Sequence, residues 1–185
     1  MTAPAATGGT ATSAVAARVA AALAGVPHQV VHPVDGMLSI EIETAAANEV
    51  MSRLRDRAGF DSNTFVTAVD RYPEEPRFVV LWQFLSTTHN DRVRVQTRVP
   101  GESPHVPTIT HLWVGTAYFE RECYDMFGIV FDGHAGLKRL LMPDGYEHFP
   151  LRKDFPHQGI EPDRLYREWD NRRRERSPLR TESQA

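Results

Sequence analysis

Residues 77–85 read R-F-V-V-L-W-Q-F-L, a nearly continuous apolar run that decides the fold class. Its aromatic and β-branched residues predict an interior β-strand, and its lack of alternation predicts that both faces of this strand are covered. Residues 64–70 before it and residues 92–99 after it also have strand composition. In the last strand, Val93, Val95 and Val99 are expected to point inward, and Arg92, Arg94 and Arg98 outward.

Upstream of these strands, two short β-branched runs at residues 29–32 and 37–43 flank Asp35-Gly36. An Asp-Gly pair between such runs is a strong turn signal, so the sequence predicts a β-hairpin. A helix is expected before the hairpin, at residues 12–24, because alanine dominates this stretch.

A second helix is predicted over residues 44–58, with Thr44 as a candidate N-cap and Gly59 as its end. The resulting order is helix, two strands, helix, three strands and a further helix. This order predicts an α+β fold, a two-layer α/β sandwich with helices on a mixed or antiparallel sheet, followed by a long extended C-terminal segment. The apolar stripe of the second helix consists of Ala47, Val50, Met51, Leu54 and Ala58.

The chain divides into four predicted regions. Residues 1–11 form a flexible N-terminal lead-in, and residues 12–131 form the α/β domain. Residues 132–163, here called the proline-rich segment, are expected to be extended and to dock on a partner. Residues 164–185 form an arginine-rich tail.

Composition excludes several function classes. Among 185 residues there is one cysteine, which allows neither an internal disulfide nor the roughly four protein ligands that an iron–sulfur cluster needs. The formal net charge of −3 argues against a basic nucleic-acid-binding domain. No run reaches the roughly 18–20 apolar residues of a membrane span, and no secretory signal is expected. These features and the single cysteine predict a soluble chain in a reducing compartment. Dinucleotide-binding, phosphate-loop and zinc-site motifs are also missing from the sequence.

Residues 107–127 predict a helix entry and a third helix, capped early by Thr108 or Thr110 or, in a shorter version, by Thr116, and ended by Gly128. Cys123 lies in its apolar stripe and is interpreted as a small buried hydrophobe. The opposite face carries Glu120, Arg121, Glu122 and Asp125, which are expected to face solvent, with Arg121 and Asp125 pairing across one turn.

After this helix, residues 137–142 predict a short helical turn, and residues 149–156, F-P-L-R-K-D-F-P, predict an extended arm. Such an arm cannot fold on itself. It must lie across its own domain or across a partner.

Three stretches carry a resemblance to a known family. They are Y-F-E-R-E-C-Y-D-M-F-G-I-V-F-D-G-H at 118–134, L-K-R-L-L-M-P-D-G-Y at 137–146 and the F-P-L-R-K-D-F-P of 149–156. Together they closely resemble the thirty-kilodalton subunit of respiratory complex I, the NADH:quinone oxidoreductase, which is its C-type subunit in bacteria. The departures at Ala135-Gly136 and His148-Phe149 leave open which branch of the family is involved.

The resemblance implies a non-catalytic structural and assembly subunit with no cofactor of its own. In this family, FMN and iron–sulfur clusters lie in partner subunits, and electrons pass from NADH through them to quinone, coupled to proton translocation. The family member sits in the peripheral arm of the complex on the cytoplasmic side of the inner membrane. It packs against the quinone-site (D-type) subunit, near the B-type and I-type iron–sulfur subunits.

The resemblance also implies a partner interface on the third helix and the proline-rich segment. Alternatives are an equivalent subunit of a membrane-bound hydrogenase or other-donor:quinone complex, and a free-standing acid/base enzyme built on the helix carboxylates and His134. A weaker alternative is a nucleic-acid-binding tail at residues 164–180. The residues predicted at the partner interface are Glu120, Arg121, Glu122, Asp125, His134, Arg139, Arg152, Lys153 and Asp154.

Overall fold

The computed structural model describes residues 8–31, 33–157, 159–160 and 164–176, without the side chains of residues 8–13, 164–166 and 174–176. Its helices are α1 (Gly8–Ala22), α2 (Ala47–Asp56), α3 (Thr116–Phe127) and α4 (Arg164–Arg176). Its strands are β1 (Gln29–Val31), β2 (Ser39–Glu41), β3 (Ser62–Asp70), β4 (Phe78–Ser86), β5 (Asp91–Val99), β6 (His105–Pro107) and β7 (Val130–Asp132).

Five strands form one mixed sheet in the order β1-β2-β5-β4-β3. The β3, β4 and β5 strands follow one another as an antiparallel meander, whereas β2 joins β5 in parallel, with Ile40 opposite Val95. Strands β6 and β7 form a separate parallel pair. The predicted two-layer α+β sandwich with a mixed sheet is therefore confirmed.

One face of the sheet holds the core, because every second residue of the meander is buried there. Trp82 at its centre lies opposite Val66 on one neighbouring strand and Val95 on the other. Helices α1 and α2 supply the second layer through buried Val19, Leu23 and the predicted stripe of α2. The predicted stripe residues Ala47, Val50, Met51, Leu54 and Ala58 are all fully or almost fully buried.

The other face of the sheet departs from the expectation that both faces of β4 are covered. Leu81, Gln83 and Leu85 on this face are only partly buried, and Val69 on β3 is 45% exposed. The alternation predicted for β5 is confirmed, since its valines are buried whereas Arg92 and Arg98 are exposed.

The hairpin at residues 29–43 is confirmed by the antiparallel pairing of β1 with β2. Gly36 occupies the left-handed region with φ +69°, which explains the Asp-Gly turn, and the Asp35 carboxylate accepts the Met37 N–H at 3.1 Å. His32, included in the predicted first run, lies outside the described residues.

Two helix starts were predicted wrongly, and the structure decides a third that the sequence left open. Helix α1 already begins at Gly8, inside the predicted lead-in, whose residues 1–7 lie outside the described residues. Thr44 does not cap a helix, because it opens a 3-10 turn and its hydroxyl lies 2.9 Å from that of Thr97. The third helix takes the shorter of the two predicted versions and begins at Thr116, since residues 105–107 pair with β7.

The chain beyond β7 also differs from the prediction. Residues 137–142 form an irregular stretch that ends in a bend and not a helical turn, and residues 150–155 form successive turns and bends and not an extended arm. The backbone N–H groups of Arg152 and Phe155 donate to carbonyls three residues earlier, which closes these turns. The arginine-rich tail contains α4, and its residues 177–185 lie outside the described residues.

Candidate functional site

The acidic residues of α3 do not face solvent as the sequence predicted. Glu120 and Asp125 are both 0% exposed, whereas Glu122 is exposed. Periodicity assigned the apolar stripe of α3 correctly, with Cys123 and Met126 buried. It failed on the opposite face because the proline-rich segment contacts Asp125 and the loop after β6 contacts Glu120.

Asp125 fixes the path of residues 139–142 around the end of α3. Its Oδ2 accepts three backbone N–H groups, from Leu140 at 3.0 Å, Leu141 at 2.6 Å and Met142 at 2.8 Å. Arg139 donates to Oδ1 at 2.8 Å. Burial alone would raise the pKa of this carboxyl, but these donors outweigh it and hold the pKa below its ordinary value. The carboxylate is therefore fully used within the chain.

Arg121 does not pair with Asp125, contrary to the expected contact across one turn. Its guanidinium donates to the carbonyls of Lys138 at 3.2 Å and Arg139 at 2.9 Å. It also lies over the ring of Tyr118, 5.9 Å from the ring centroid. Arg121 therefore fastens the same stretch of the proline-rich segment from the outer side of α3.

Glu120 joins α3 to the loop after β6. Its Oε2 accepts the Thr108 hydroxyl at 2.5 Å, and its Oε1 accepts the Ile109 N–H at 2.9 Å. Burial raises the pKa of this carboxyl above its usual value, although both hydrogen bonds act in the opposite direction.

His134 closes the turn after β7 against α3. Its Nε2 lies 3.1 Å from the Ala117 carbonyl oxygen, and its Nδ1 accepts the Gly136 N–H at 3.0 Å. A neutral imidazole with its proton on Nε2 satisfies both contacts. The side chain therefore orders its own loop.

Arg152 caps the C-terminal end of α3. Its Nε donates to the Phe127 carbonyl at 2.6 Å, and its guanidinium stacks on Phe149 and Phe78 at 4.5 and 5.3 Å from the ring centroids. Burial lowers the pKa of this guanidinium. Gly128 permits the approach, because a Cβ there would lie 2.5 Å from Arg152 Nη2 and 2.7 Å from the Phe149 ring.

The last predicted pair, Lys153 and Asp154, lies against the ends of β3 and β4. Asp154 pairs with Arg77 at 2.9 Å, and the Lys153 N–H donates to Asp70 at 2.8 Å. Arg77 also holds Asp70 through two bonds of 2.7 and 2.9 Å. Although burial opposes ionisation, the donors around Asp70 lower the pKa of this carboxyl to about 2.

Sequence reasoning missed Asp70, Arg77 and Thr108 at this site. One signal for Asp70 was available, because it continues the buried alternation of Val66 and Ala68 along β3. A carboxylate at such a position needs a buried cation, and Arg77 lies seven residues later across the β3–β4 turn.

The nine residues predicted at a partner interface are spread along α3. Glu120 and His134 make contacts in its first half, whereas Asp125, Arg139 and Arg152 make contacts near its C-terminal end. The structure gives seven of them side-chain contacts within the chain, whereas the Glu122 side chain and the Lys153 ammonium are exposed. Contact with a partner stays a prediction for all nine. A cavity of about 440 Å³ lies away from these residues, whereas one of about 330 Å³ is lined in part by Arg152 and Asp154. Neither cavity is lined by Glu120, Glu122, Asp125 or His134.

Two further properties concern the described part of the chain. Its residues include no cluster of three or more His, Cys, Asp or Glu side chains that could hold a metal ion. Within the same residues, none of the helices is both long and apolar enough to cross a membrane.

Sequence comparison with known proteins finds the family that the three motif stretches resemble. The family described as "Respiratory-chain NADH dehydrogenase, 30 Kd subunit" matches residues 40–161. A C-type subunit of NADH-quinone oxidoreductase from Rhizobium meliloti (strain 1021) is 47% identical over 102 residues, covering 55% of this chain and 56% of the relative. The C-type subunit of Rhodopseudomonas palustris (strain BisB18) is 41% identical over 127 residues, covering 68% of this chain and 63% of the relative. The chain thus spans less than two thirds of the length of these relatives.

Solved structures agree on the fold. A trypsin-resistant fragment (1-134) of Nqo5 matches with a TM-score of 0.57 and 29% identity, covering 69% of this chain and 99% of the fragment. A chain of the membrane-bound sulfane sulfur reductase, an archaeal respiratory membrane complex, matches with a TM-score of 0.66 over 93% of this chain and 95% of its own. At 17% identity this second likeness concerns the fold alone.

Proposed function

Because the chain belongs to the family of the 30-kDa subunit of the respiratory-chain NADH dehydrogenase, we propose that it is a non-catalytic structural subunit of a proton-translocating NADH:quinone oxidoreductase. Its role is to help assemble and brace the peripheral arm of the complex. Electron transfer from NADH to quinone, through FMN and iron–sulfur clusters, takes place in partner subunits.

The observation that carries this proposal is the match over residues 40–161, which spans most of the α/β domain and nearly all of the proline-rich segment. Arg121 and Asp125 on α3, and Arg152 within the segment itself, hold this irregular chain of many turns in one defined shape. Irregular segments lie on protein surfaces and often carry binding residues. A segment that is fixed in one shape therefore fits the role of a docking surface.

The proposal includes partners and a location. The D-type subunit, which supplies the quinone site, is the expected main partner, and the B-type and I-type iron–sulfur subunits are expected nearby. The complex places the chain at the cytoplasmic side of the inner membrane, attached through these partners. No contact with nucleic acid is expected.

A free-standing acid/base enzyme has less support. General acid/base catalysis requires a carboxyl group within hydrogen-bond reach of substrate. Glu120 and Asp125 are 0% exposed, and each accepts hydrogen bonds from its own chain. Glu122 is exposed, but neither of the other two carboxylates reaches the surface beside it. No second function is proposed.

The test is isolation of the tagged full chain from membranes of its own cell in mild detergent. Co-isolation of flavin-, iron–sulfur- and membrane-embedded subunits, with NADH:quinone oxidoreductase activity, is the expected result. A chain recovered alone would contradict the proposal, and activity with a donor other than NADH would assign the complex to another branch.

A variant separates assembly from folding. Arg152→Ala removes the cap of α3 and the stacking on Phe149, so the proline-rich segment loses its defined shape. We expect the domain to stay folded by circular dichroism while its recovery in the complex falls. Arg57→Ala makes the same side-chain change at an exposed position outside the predicted interface, and it is the matched control.

A further inference from the structure

The outer face of the sheet breaks the alternation that a solvent-facing sheet normally shows. Antiparallel strands with one wet face place polar residues on that face. Strand β5 obeys this rule, with Arg92, Arg94, Gln96 and Arg98 outward. Strand β4 does not, because it places Val79, Leu81 and Leu85 on the same outer face as these polar side chains.

The strand register joins these apolar residues into one patch. Val69 lies opposite Val79, Thr67 opposite Leu81, and Phe65 opposite Gln83. Directly opposite side chains lie about 4.5–5.5 Å apart at Cβ, so Val69 and Val79 touch. Diagonal neighbours lie about 7–8 Å apart, within reach of an aromatic ring, and Phe65 stands diagonal to both Leu81 and Leu85. The outer patch is defined as Phe65, Val69, Val79, Leu81 and Leu85.

Most of the outer patch is accessible in the described structure. Val69 is 45% exposed, and Phe65, Leu81 and Leu85 are partly exposed, whereas Val79 is buried. Contiguous apolar surface on a folded domain marks an interaction site more often than chance exposure does. Isolated apolar residues at a surface would not carry this inference, but a register-matched group on two adjacent strands does.

Charge along β5 determines the kind of partner that fits. Arg94 pairs with Asp35 at 2.7 Å, and Arg98 pairs with Glu41 at 3.1 Å. Arg92 is exposed and has no ion pair within the part of the chain that the structure describes. It lies directly opposite Leu85, so the patch is bordered by a guanidinium with free donors. A carboxylate on the partner is the group that such a fork binds most specifically.

We propose that this outer sheet face is a second docking surface, and that its occupant is another protein of the complex. This occupant presents apolar side chains to the outer patch and a carboxylate to Arg92. The identity of the occupant rests on the proposed function. The surface itself uses no residue of the proline-rich segment, so the two interfaces can be tested separately.

Photo-crosslinking in the assembled complex is the first test. A benzophenone amino acid placed at Leu81 in the full chain is expected, on irradiation of the purified complex, to form a crosslink to a different protein of the complex. The same probe at Arg57, which is exposed at the end of α2 in the other layer, is the control position. Peptide mapping that places the Leu81 crosslink on a second copy of this chain, or within the chain itself, would overturn the proposal, as would irradiation without a crosslink.

Charge reversal is the second test. Arg92→Glu places a negative charge opposite the carboxylate of the partner. We expect at least a tenfold loss of co-isolated subunits, which is the size of effect that substitution of a hot-spot residue has on an interface. Arg57→Glu makes the same charge change on the helical layer and is expected to leave co-isolation unchanged. Because Arg92 is exposed, the thermal unfolding midpoint of the isolated full chain should be similar for both variants.

The outcomes distinguish this inference from the proposed function. Leu81→Thr is a further variant, which makes the outer patch more polar. If the unmodified chain co-isolates with flavin and iron–sulfur subunits and neither Arg92→Glu nor Leu81→Thr changes this, the second surface is overturned. The proposed function then still stands. Failure of the unmodified chain to co-isolate with any subunit would contradict the proposed function first. Leu81→Thr introduces a β-branched residue, which suits a strand, so loss of folding is not expected to obscure its result.

Discussion

The carboxylate Oδ2 of Asp125 lies 2.8 Å from the backbone nitrogen of Met142, although 17 positions separate the two residues in the sequence. The same oxygen accepts the N–H groups of Leu140 and Leu141. One helix side chain therefore sets the backbone course of a loop that has no regular structure. Replacing this carboxylate should therefore lower the free energy of unfolding of the chain.

Asp125→Asn is expected to destabilise the fold strongly. The amide keeps one acceptor oxygen, but its NH₂ group places donors next to the donors of Arg139 or of the loop backbone. The substitution also leaves the Arg139 guanidinium without its charge partner. Loss of one member of a buried ion pair costs about 3–5 kcal/mol, and we expect a decrease near the lower end in the free energy of unfolding, measured by urea titration. Glu122→Gln on the same helix should change it by less than about 0.5 kcal/mol. Equal effects of the two substitutions would refute this role for Asp125.

Gly128→Ala is expected to displace the proline-rich segment. The residue has φ +75°, and its Cβ would meet Arg152 and Phe149 at distances of 2.5 and 2.7 Å. Gly36→Ala is a matched control, because Gly36 has φ +69° but open space around its Cβ position. Both variants carry a backbone cost of about 1 kcal/mol or more, and Gly128→Ala should also speed hydrogen exchange at the Leu151 amide, which bonds to the Met126 carbonyl. Unchanged exchange at that amide would argue against this close packing.

Asp70 should dominate the acid limb of the stability profile. Its pKa falls from 3.8 in the unfolded chain to about 2 in the fold, so its stabilisation is complete above about pH 4 and is lost as the pH falls towards 2. The difference corresponds to about 2 kcal/mol, and Asp70→Asn should remove it and flatten the decrease in unfolding free energy between pH 4 and 2. An equally steep decrease in the variant would assign the acid limb to other carboxyl groups.

Asp154→Asn tests the same guanidinium from its other side. Arg77 binds both carboxylates, but Asp154 has a 47% exposed side chain against 2% for Asp70. Solvent screens the exposed pair, so the loss in unfolding free energy should stay below about 1 kcal/mol. If Asp154→Asn lowered the unfolding free energy more than Asp70→Asn does, the Arg77–Asp154 pair would be the stronger of the two, which would contradict this prediction.

Cys123 should resist thiol reagents in the native chain. Burial raises the pKa of this thiol, and the nearby charges of Glu120 and Glu122 act in the same direction. Because the thiolate is the reactive form and the side chain is 2% exposed, labelling by a disulfide reagent at about pH 8 should be slow. In denaturing urea, one thiol per chain should react rapidly. Fast labelling without denaturant would show that α3 opens readily.

Much of the fold could be predicted from local pattern. The five strands of the main sheet, the Asp-Gly hairpin and the buried stripe of α2 each follow from alternation, turn chemistry or helical periodicity within a few residues. The boundaries of α1 and α3 could not be fixed in this way. Residues 105–107 have no strand signal of their own, and they become a strand because β7 pairs with them from a distance.

The nine residues named for a partner interface stay a prediction, and their geometry could not be predicted from the sequence. The residues were identified by family resemblance, yet Glu120 and Asp125 were assigned to a wet helix face that the structure buries. Helical periodicity distinguishes an apolar face from a polar one, but it cannot show that a later, irregular segment supplies donors to the polar face. Lys138 to Met142 contain no pattern that reports their contact with α3, so this part of the site required the tertiary structure.

The parallel pairing of β2 with β5 also has a consequence for how the chain folds. Strands β3, β4 and β5 are neighbours in sequence and pair through short turns, whereas Ile40 meets Val95 only after the whole meander has been placed. Closing that long loop costs entropy that local hairpins do not require, so the meander is expected to form early and the β1–β2 hairpin to join late. The N-terminal hairpin would then be the most readily detached unit of the native sheet, opening and reclosing while the other three strands stay assembled.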